Sequence, residues 1–255
     1  MNLSFNKRLA YIYKSPSQKI RVLTEDWANN NIYCPSCGSP INKYQNNQPV
    51  ADFHCITCRE QYELKSKKDN IGLKILDGAY KTMLERLRSR HNPNFFFLSY
   101  GLGALEVSNF LVIPKHFFVP EIIEKRKPLA PHARRAGWIG CNILLQKIPQ
   151  TGKIFLVRDK KVRPKKAVLE TWRKTLFLRE ETQLNAKGWI LDIMNCIDDL
   201  RKKLFSLDEV YSFEKDLRLK HPGNKHIKDK IRQQLQFLRD KGYLEFLGKG
   251  RYGVI

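Results

Sequence analysis

The sequence predicts an α/β protein with two parts: a larger domain with a mixed sheet flanked by helices, and a smaller domain of three helices and a hairpin. Apolar runs of strand length alternate with helical stripes before residue 185, and from Gly188 three helical segments precede a short hairpin. With 255 residues, each part is long enough to bury its own core. We therefore expect one domain over 1–184 and a second over 185–255.

The larger domain is predicted from the spacing of its apolar residues. Ile20, Leu23 and Trp27 recur at helical spacing, which indicates a first helix. A second helical stripe runs from Leu76 to Leu87 and ends before Asn92-Pro93. Strands are predicted at 62–68, 94–100, 105–113 and 153–158, whereas 158–174 is dense in Lys and Arg and resembles a surface connection.

The smaller domain is predicted to contain helices at 189–200 and 207–219 and a third helix that starts near Asn224. Two short strands then flank Gly248-Lys249-Gly250, which is a hairpin signal. Three helices followed by a hairpin with a basic tip are typical of a winged-helix DNA-binding domain.

The charge balance gives the first indication of a partner. The chain has 47 Lys and Arg against 25 Asp and Glu, a formal net charge of +22. This surplus favours nucleic acid, although a generically basic surface or a ribosomal or membrane-surface role would need the same charge. No segment approaches the roughly 20 apolar residues of a membrane span, and the first residues lack the apolar core of a secretory signal. We expect a bacterial cytoplasmic protein with no membrane partner.

Four cysteines form two CxxC pairs, Cys34 with Cys37 and Cys55 with Cys58, separated by seventeen residues. This spacing suits a tetrahedral four-thiolate Zn²⁺ site, which would be structural because it leaves no open coordination position. Two disulfides or four unrelated thiols are the alternatives, and a reducing cytoplasm disfavours disulfides. Cys141 and Cys196 have no partner in spacing, so we expect buried thiols.

An acid–acid–lysine pattern surrounds the second cysteine pair. Pro49-Val50-Ala51-Asp52, ten residues, and then Glu63-Leu64-Lys65 match the PD-(D/E)xK nuclease pattern. Phosphodiester hydrolysis uses hard divalent cations such as Mg²⁺, for which Asp52, Glu63 and the Leu64 carbonyl offer oxygen ligands. Lys65 could orient or deprotonate the attacking water, or offset negative charge on the transition state. The hypothesis is therefore a nuclease core with an inserted zinc knuckle.

The acid–acid–lysine triplet also occurs by chance on solvated strands, so the pattern alone is weak. An acid of the first helix, Glu25 or Asp26, is a candidate additional ligand, but we expect both to be exposed to solvent.

Two further groups of residues are candidate DNA contacts. The region 115–174 has sixteen Lys or Arg against four Asp or Glu, and it includes Arg134, Arg135 and Trp138. Trp138 could insert into a groove or stack on bases, or it could be an ordinary core aromatic. In the smaller domain the exposed face of the third helix would carry Lys225, Asp229, Arg232, Gln233 and Gln236, and the wing would carry Lys249 and Arg251. A winged helix used for protein contact is the alternative.

Ten segments between residue 24 and the C-terminal region carry a likeness to a known family. They are TEDW, YCPSCG, PVADFHC, ELKSKK, DGAY, NPNFFFL, RKPLAP, ARRAGWIGCN, HIKDKIRQQLQ and LRDKGYLEF. Together they resemble the DpnI family of type II restriction endonucleases over essentially the whole chain. The stretch around Gly101-Leu102-Gly103 and the final residues diverge most.

The resemblance implies an enzyme that cuts double-stranded DNA at GATC when the adenines are methylated on the exocyclic amine. Asp52, Glu63 and Lys65 would be the catalytic set with Mg²⁺, and the four paired cysteines would hold Zn²⁺. Both domains of that family recognise the methylated site, and Trp138 falls where the nuclease domain reads it. We expect no small-molecule cofactor and a monomer, because two linked readers let one chain act alone.

Two other functions remain open from the sequence. A non-enzymatic regulator with zinc and a winged helix would explain the charge, the cysteines and the smaller domain, but it leaves the acids and the lysine as coincidence. An RNA-binding or ribosome-associated protein would explain only the charge.

Overall fold

The computed structural model describes residues 1–45, 51–89 and 92–255, so Pro49 and Val50 of the nuclease pattern lie outside the described residues. The chain divides into two compact units, Met1–Gln146 with Thr151–Thr175 and Lys147–Gln150 with Leu176–Ile255. Within the described ranges, no helix is both long enough and apolar enough to cross a membrane.

The first unit contains ten strands and three α-helices among its described residues. They are α1 (Pro16–Asn31), β1 (Ile41–Lys43), β2 (Phe53–Cys55), β3 (Gln61–Lys68), β4 (Lys74–Ala79), α2 (Tyr80–Arg88), β5 (Asn94–Gly101), β6 (Glu106–Ile113), β7 (Ile123–Lys125), β8 (Gly140–Leu144), β9 (Ile154–Arg158), β10 (Lys161–Val162) and α3 (Lys165–Lys174).

These strands form two sheets. The larger has the order β1-β2-β3-β5-β6-β9-β10, and the smaller has the order β4-β8-β7. Only β3 and β5 pair in parallel among the described neighbours, which makes the larger sheet mixed. The predicted mixed α/β fold is thus confirmed, and the four predicted strands correspond to β3, β5, β6 and β9.

The core of the larger sheet lies on β5, whose residues from Asn94 to Tyr100 are all buried. This strand is paired at both edges, by β3 and β6, and the burial of consecutive residues shows that both of its faces are covered, which accounts for its nearly continuous apolar sequence. The Tyr62 ring stacks on Phe96 with centroids 4.3 Å apart, which fixes β3 against β5 from the core side. The helix α1 begins at Pro16 and buries Trp27 completely, as its spacing predicted.

Two elements of this unit differ from the prediction. Leu76 is not helical: it lies on β4 opposite Asn142 and is 61% exposed, and the helix begins only at Tyr80. The predicted connection 158–174 is instead strand β10 and helix α3, which buries Val168 and Trp172 one turn apart. Because this segment is rich in basic residues, its two apolar residues were not recognised as the buried face of a helix.

The second unit has four helices and a three-stranded sheet. They are α4 (Leu184–Leu200), β11 (Leu204–Ser206), α5 (Leu207–Tyr211), α6 (Glu214–Lys220), α7 (Ile227–Asp240), β12 (Leu244–Gly248) and β13 (Arg251–Val254). The sheet order is β11-β13-β12, so β13 is paired on both sides. The core side of α7 buries Ile227, Ile231, Leu235 and Leu238, as predicted.

The prediction of one helix over 207–219 is wrong, because α5 and α6 are separate helices. A capping box between Ser206 and Glu209 starts α5, and Phe213, whose ψ of 5° is not helical, interrupts the run before α6. The strand β11, at only three residues, was not predicted. The hairpin β12–β13 was predicted, and positive φ angles at Gly248, Lys249 and Gly250 make its tight turn.

Candidate active site

The four paired cysteines lie together. Their Sγ atoms all fall within 4.8 Å of one another, and the Cys34–Cys58 and Cys37–Cys55 Sγ pairs are each 3.4 Å apart. The two CxxC turns have the same backbone pattern: Gly38 N–H donates to the Cys34 carbonyl, and Arg59 N–H donates to the Cys55 carbonyl. Both donors have positive φ, 84° for Gly38 and 59° for Arg59.

This cluster fits a zinc ion. A tetrahedral ion with Zn–S bonds of about 2.3 Å places its sulfur ligands about 3.8 Å apart, which lies between the 3.4 Å of these two pairs and the 4.8 Å within which all four Sγ atoms fall. All six cysteines are in the described part of the chain and each is free of a disulfide. Four thiolate donors fill a tetrahedral shell, so the site would be structural.

The β2–β3 hairpin brings Asp52 next to Glu63 and Leu64. Asp52 N–H donates to the Tyr62 carbonyl, and its carboxylate Oδ2 accepts a 2.7 Å hydrogen bond from Leu64 N–H. The turn of this hairpin is the Cys55–Cys58 pair of the cluster. Asp52 and Leu64, which have eleven residues between them in sequence, are thus in direct contact because the cysteine turn closes the hairpin.

Lys65 and Glu63 lie on the same face of β3 and form an ion pair. The Lys65 Nζ atom is 2.6 Å from Glu63 Oε1 and 2.5 Å from Asp77 Oδ1, while Arg86 Nη1 donates to Glu63 Oε2 at 3.1 Å. The side chains of Glu63 and Asp77 are only 16% and 4% exposed. Two cations and two carboxylates are thereby held together in a mostly buried site.

The environment shifts the titration of these groups. Burial raises the pKa of Asp52, and the hydrogen bond from Leu64 only partly offsets it. Burial also raises the pKa of Glu63, against the opposing charge of Lys65. Although burial by itself would lower the pKa of Lys65, the charges of Glu63 and Asp77 raise it above its ordinary value. Buried carboxylates of this kind gain from a bound divalent cation, whose charge favours the ionised form.

Trp138 lies in a turn between β7 and β8. The backbone N–H of Trp138 donates to the Arg135 carbonyl, and Gly137 before it has a φ of +76°. The ring is half-buried: it covers Gly140, where a Cβ atom would come within 2.8 Å of it, and the Arg135 guanidinium lies 4.9 Å from its centroid. Arg134 is exposed beside it. Trp138 is therefore neither a fully buried core residue nor a free one.

The candidate DNA contacts of the second unit are exposed. Lys225 precedes α7, and Arg232 and Gln233 lie on the outer face of that helix. Arg232 pairs with Asp229 at 2.6 Å, and Gln233 accepts a hydrogen bond from Lys230 at 2.8 Å. Lys249 and Arg251 are exposed at the turn and the first residue of β13. The basic and amide groups predicted for this face are thus available to a partner.

Comparison with known protein families identifies the family to which this chain belongs. The model described as the DpnI, Dam-replacing family matches residues 1–181, and the Dam-replacing helix-turn-helix domain matches residues 185–253.

The chain belongs to the DpnI family.

It is accordingly a methyl-directed restriction endonuclease of the DpnI family with a helix-turn-helix DNA-binding domain. The cysteine cluster and the acidic hairpin both lie in the part matched by the first model, and α7 lies in the part matched by the second.

One sequence expectation about this DpnI-family site is wrong. Glu25 is not solvent-exposed: it is 5% exposed on α1 and pairs with Arg21 and Lys43 at 2.6 and 2.7 Å. Its charge contributes to the raised pKa of Asp52, so it lies on the side of the helix that faces the hairpin. Asp26 next to it is half-buried.

Asp77 was missed as a residue of this DpnI-family site. Asp77 lay within the apolar stripe that was predicted to be helical, so a contact between its side chain and Lys65 was not expected. The following Gly78 was the available signal, since glycine is unfavourable inside a helix and indicates a different element.

Proposed function

We propose that this DpnI-family enzyme hydrolyses both strands of double-stranded DNA at GATC sites whose adenines are methylated, in a magnesium-dependent reaction. The observation that carries the proposal is the β2–β3 hairpin, on which Asp52 bonds to the backbone of Leu64 between Glu63 and Lys65. In a DpnI-family chain, two carboxylates and an amine in this arrangement match what a metal-dependent nuclease needs.

In this proposal Asp52, Glu63 and the carbonyl of Leu64 hold Mg²⁺. Carboxylate and carbonyl oxygens are the ligands that this hard cation prefers. Both carboxylates are mostly buried and carry pKa values raised by that burial, so the donor set fits a cation. Bound there, Mg²⁺ would supply positive charge to the scissile phosphate and acidify the attacking water.

Lys65 acts as a cation in this mechanism. Its ammonium is held between Glu63 and Asp77, which keep it protonated. A fixed positive charge beside the scissile phosphate stabilises the additional negative charge of the transition state. We assign to Lys65 the stabilisation of this charge and the orientation of the attacking water.

The remaining assignments follow from the two domains, which we place at 1–184 and 185–255. Zn²⁺ would be held by Cys34, Cys37, Cys55 and Cys58, and it would fix the turn that closes the catalytic hairpin. The proposed DNA contacts are Arg134, Arg135 and Trp138 in the first domain and Lys225, Arg232, Gln233, Lys249 and Arg251 in the second. We propose that one chain acts as a monomer in the bacterial cytoplasm, where six free thiols are compatible with the reducing conditions.

The test is cleavage of two plasmids that differ only in adenine methylation at GATC. With Mg²⁺, the methylated plasmid should give fragments whose ends map to GATC, and the unmethylated plasmid should stay intact. Chelation of the divalent cation should stop the cleavage. Binding of methylated DNA without any cleavage would instead identify a DNA-binding regulator, and equal cleavage of both plasmids would remove the methyl requirement.

A further inference from the structure

The carboxylate of Asp77 contacts the lysine of the proposed catalytic set from another sheet. Asp77 lies on β4 of the three-stranded sheet, and its Oδ1 atom is 2.5 Å from Nζ of Lys65, which lies on β3 of the seven-stranded sheet. The side chain of Asp77 is 4% exposed, whereas that of Lys65 is 22% exposed. The acid–acid–lysine pattern, which ends at Lys65, does not include this residue.

Burying a carboxylate costs free energy unless a cation and hydrogen bonds compensate it. Lys65 supplies that compensation, so the position of the ammonium and the burial of Asp77 depend on each other. The lysine ammonium lies at the end of a flexible side chain, so a single ion-pair partner leaves several side-chain conformations available to it. Two carboxylates, Glu63 and Asp77, restrict it from two elements.

The two carboxylates differ in what else they must do. Glu63 is a proposed ligand of the cation, and it also accepts from Arg86 at 3.1 Å. Asp77 is not a proposed ligand of the cation, so it can hold Lys65 in place while Glu63 binds the cation.

Asp77 is the less exposed of the two carboxylates that contact Lys65, at 4% against 16% for Glu63. Its Oδ1 atom is engaged by the Lys65 ammonium. The geometry therefore favours a role exerted through Lys65.

We propose that Asp77 is a positioning residue of the reaction, which holds the Lys65 ammonium at the scissile phosphate while Glu63 binds the cation. This inference rests on the proposed nuclease function. Loss of the Asp77 charge should leave DNA binding in place and slow the chemical step, because misplacing a catalytic group by about 1 Å costs on the order of 10²-fold in rate.

The test is single-turnover cleavage of a methylated GATC duplex at saturating Mg²⁺, with the duplex Kd and the melting temperature measured in parallel. Asp77→Asn and Asp77→Ser both remove the charge, so either one suffices if the other fails to fold. For a folded variant we expect cleavage slowed by about 10²-fold, an unchanged Kd, and partial recovery in Asp77→Glu. A purely structural role would not give recovery by a carboxylate at unchanged melting temperature.

The matched control is Glu124→Gln, which removes a carboxylate paired with Lys74 at 2.8 Å in the same three-stranded sheet. It should cleave like the unmodified enzyme. Wild-type cleavage by a folded Asp77→Asn or Asp77→Ser variant would overturn the inference, as would a slowing that Asp77→Glu does not relieve.

The enzyme with Lys65→Ala separates this inference from the function on which it rests. If Lys65→Ala is inactive while Asp77→Asn cleaves normally, only the role of Asp77 fails. If Lys65→Ala itself cleaves normally, the catalytic assignment fails and the role of Asp77 fails with it.

Discussion

Trp138 is the residue of the first domain that we propose contacts the methylated bases. Its ring is half-buried over Gly140, with the Arg135 guanidinium near its face, so a rigid, partly open apolar surface stands beside positive charge. An apolar ring can contact a methyl group, while the neighbouring guanidinium can contact a phosphate. Both contacts suit the proposed reading of methylated DNA.

We predict that Trp138→Ala lowers the ratio of cleavage rates on methylated and unmethylated GATC duplexes. Burial of one methyl contributes about 0.8 kcal/mol, so losing contact with one methyl should reduce the ratio by roughly fourfold. The rates are measured under single-turnover conditions. Trp138→Phe, which keeps an apolar ring, is the control and should retain most of the ratio; an unchanged ratio in Trp138→Ala would contradict the assignment.

Residues of the site could be predicted where they are close in sequence. The carboxylates of Asp52 and Glu63 are separated by ten residues and a cysteine turn, and strand alternation puts Glu63 and Lys65 on one face. The burial of Glu25 and the contact of Asp77 could not be predicted in the same way. Each depends on how a distant segment packs onto the hairpin, and local spacing contains no information about that packing.

At the scale of elements, the cysteine cluster and the β2–β3 hairpin depend on each other. The hairpin turn contributes two of the four sulfurs, and the other two come from the turn after α1. The hairpin has only two residue pairs between β2 and β3, Phe53 with Tyr62 and His54 with Gln61. Because this pairing is short, we expect the cluster to stabilise the hairpin in addition to the pairing of β3 with β5 and of β2 with β1.

We predict that removing zinc disorders the catalytic hairpin. Ligation of a structural zinc contributes on the order of 10 kcal/mol of folding free energy in small zinc domains, so Cys37→Ser should lower the melting temperature and abolish cleavage. Zinc content, thermal melting and cleavage are measured together. Cys196→Ala, which removes a buried thiol of α4 outside the cluster, is the control and should keep both zinc and activity. Full activity in a zinc-free Cys37→Ser enzyme would refute a structural role for the metal.

The elements that could be predicted are those with a strong apolar pattern. The strand β5 is apolar throughout and buried on both faces, and α7 has a clear apolar stripe. The errors occurred where two patterns overlap. Leu76 has helical spacing to Tyr80 but pairs in a sheet with β8, a partner more than sixty residues away. In α3 the charged residues outnumber the two that are buried.

For the whole molecule, the charge and the two domains bear on affinity and selectivity in different ways. A net charge of +22 supports contacts with phosphates, which carry no sequence information. One buried methyl gives only a roughly fourfold preference, which is too small to spare unmethylated DNA. Reading by both the nuclease domain and the helix-turn-helix domain multiplies such preferences, and this is why we propose two readers on one chain.

The most direct test of the account is the Asp52→Asn variant, assayed for both cleavage and binding of one methylated GATC duplex. The amide retains an oxygen that can accept from Leu64 N–H but loses the charge that would hold Mg²⁺. We predict that cleavage falls at least 10³-fold, on the order of the loss from removing a principal electrostatic group, while the duplex Kd changes by less than about twofold. Cleavage at the rate of the unmodified enzyme would contradict the claim that this hairpin is the catalytic site.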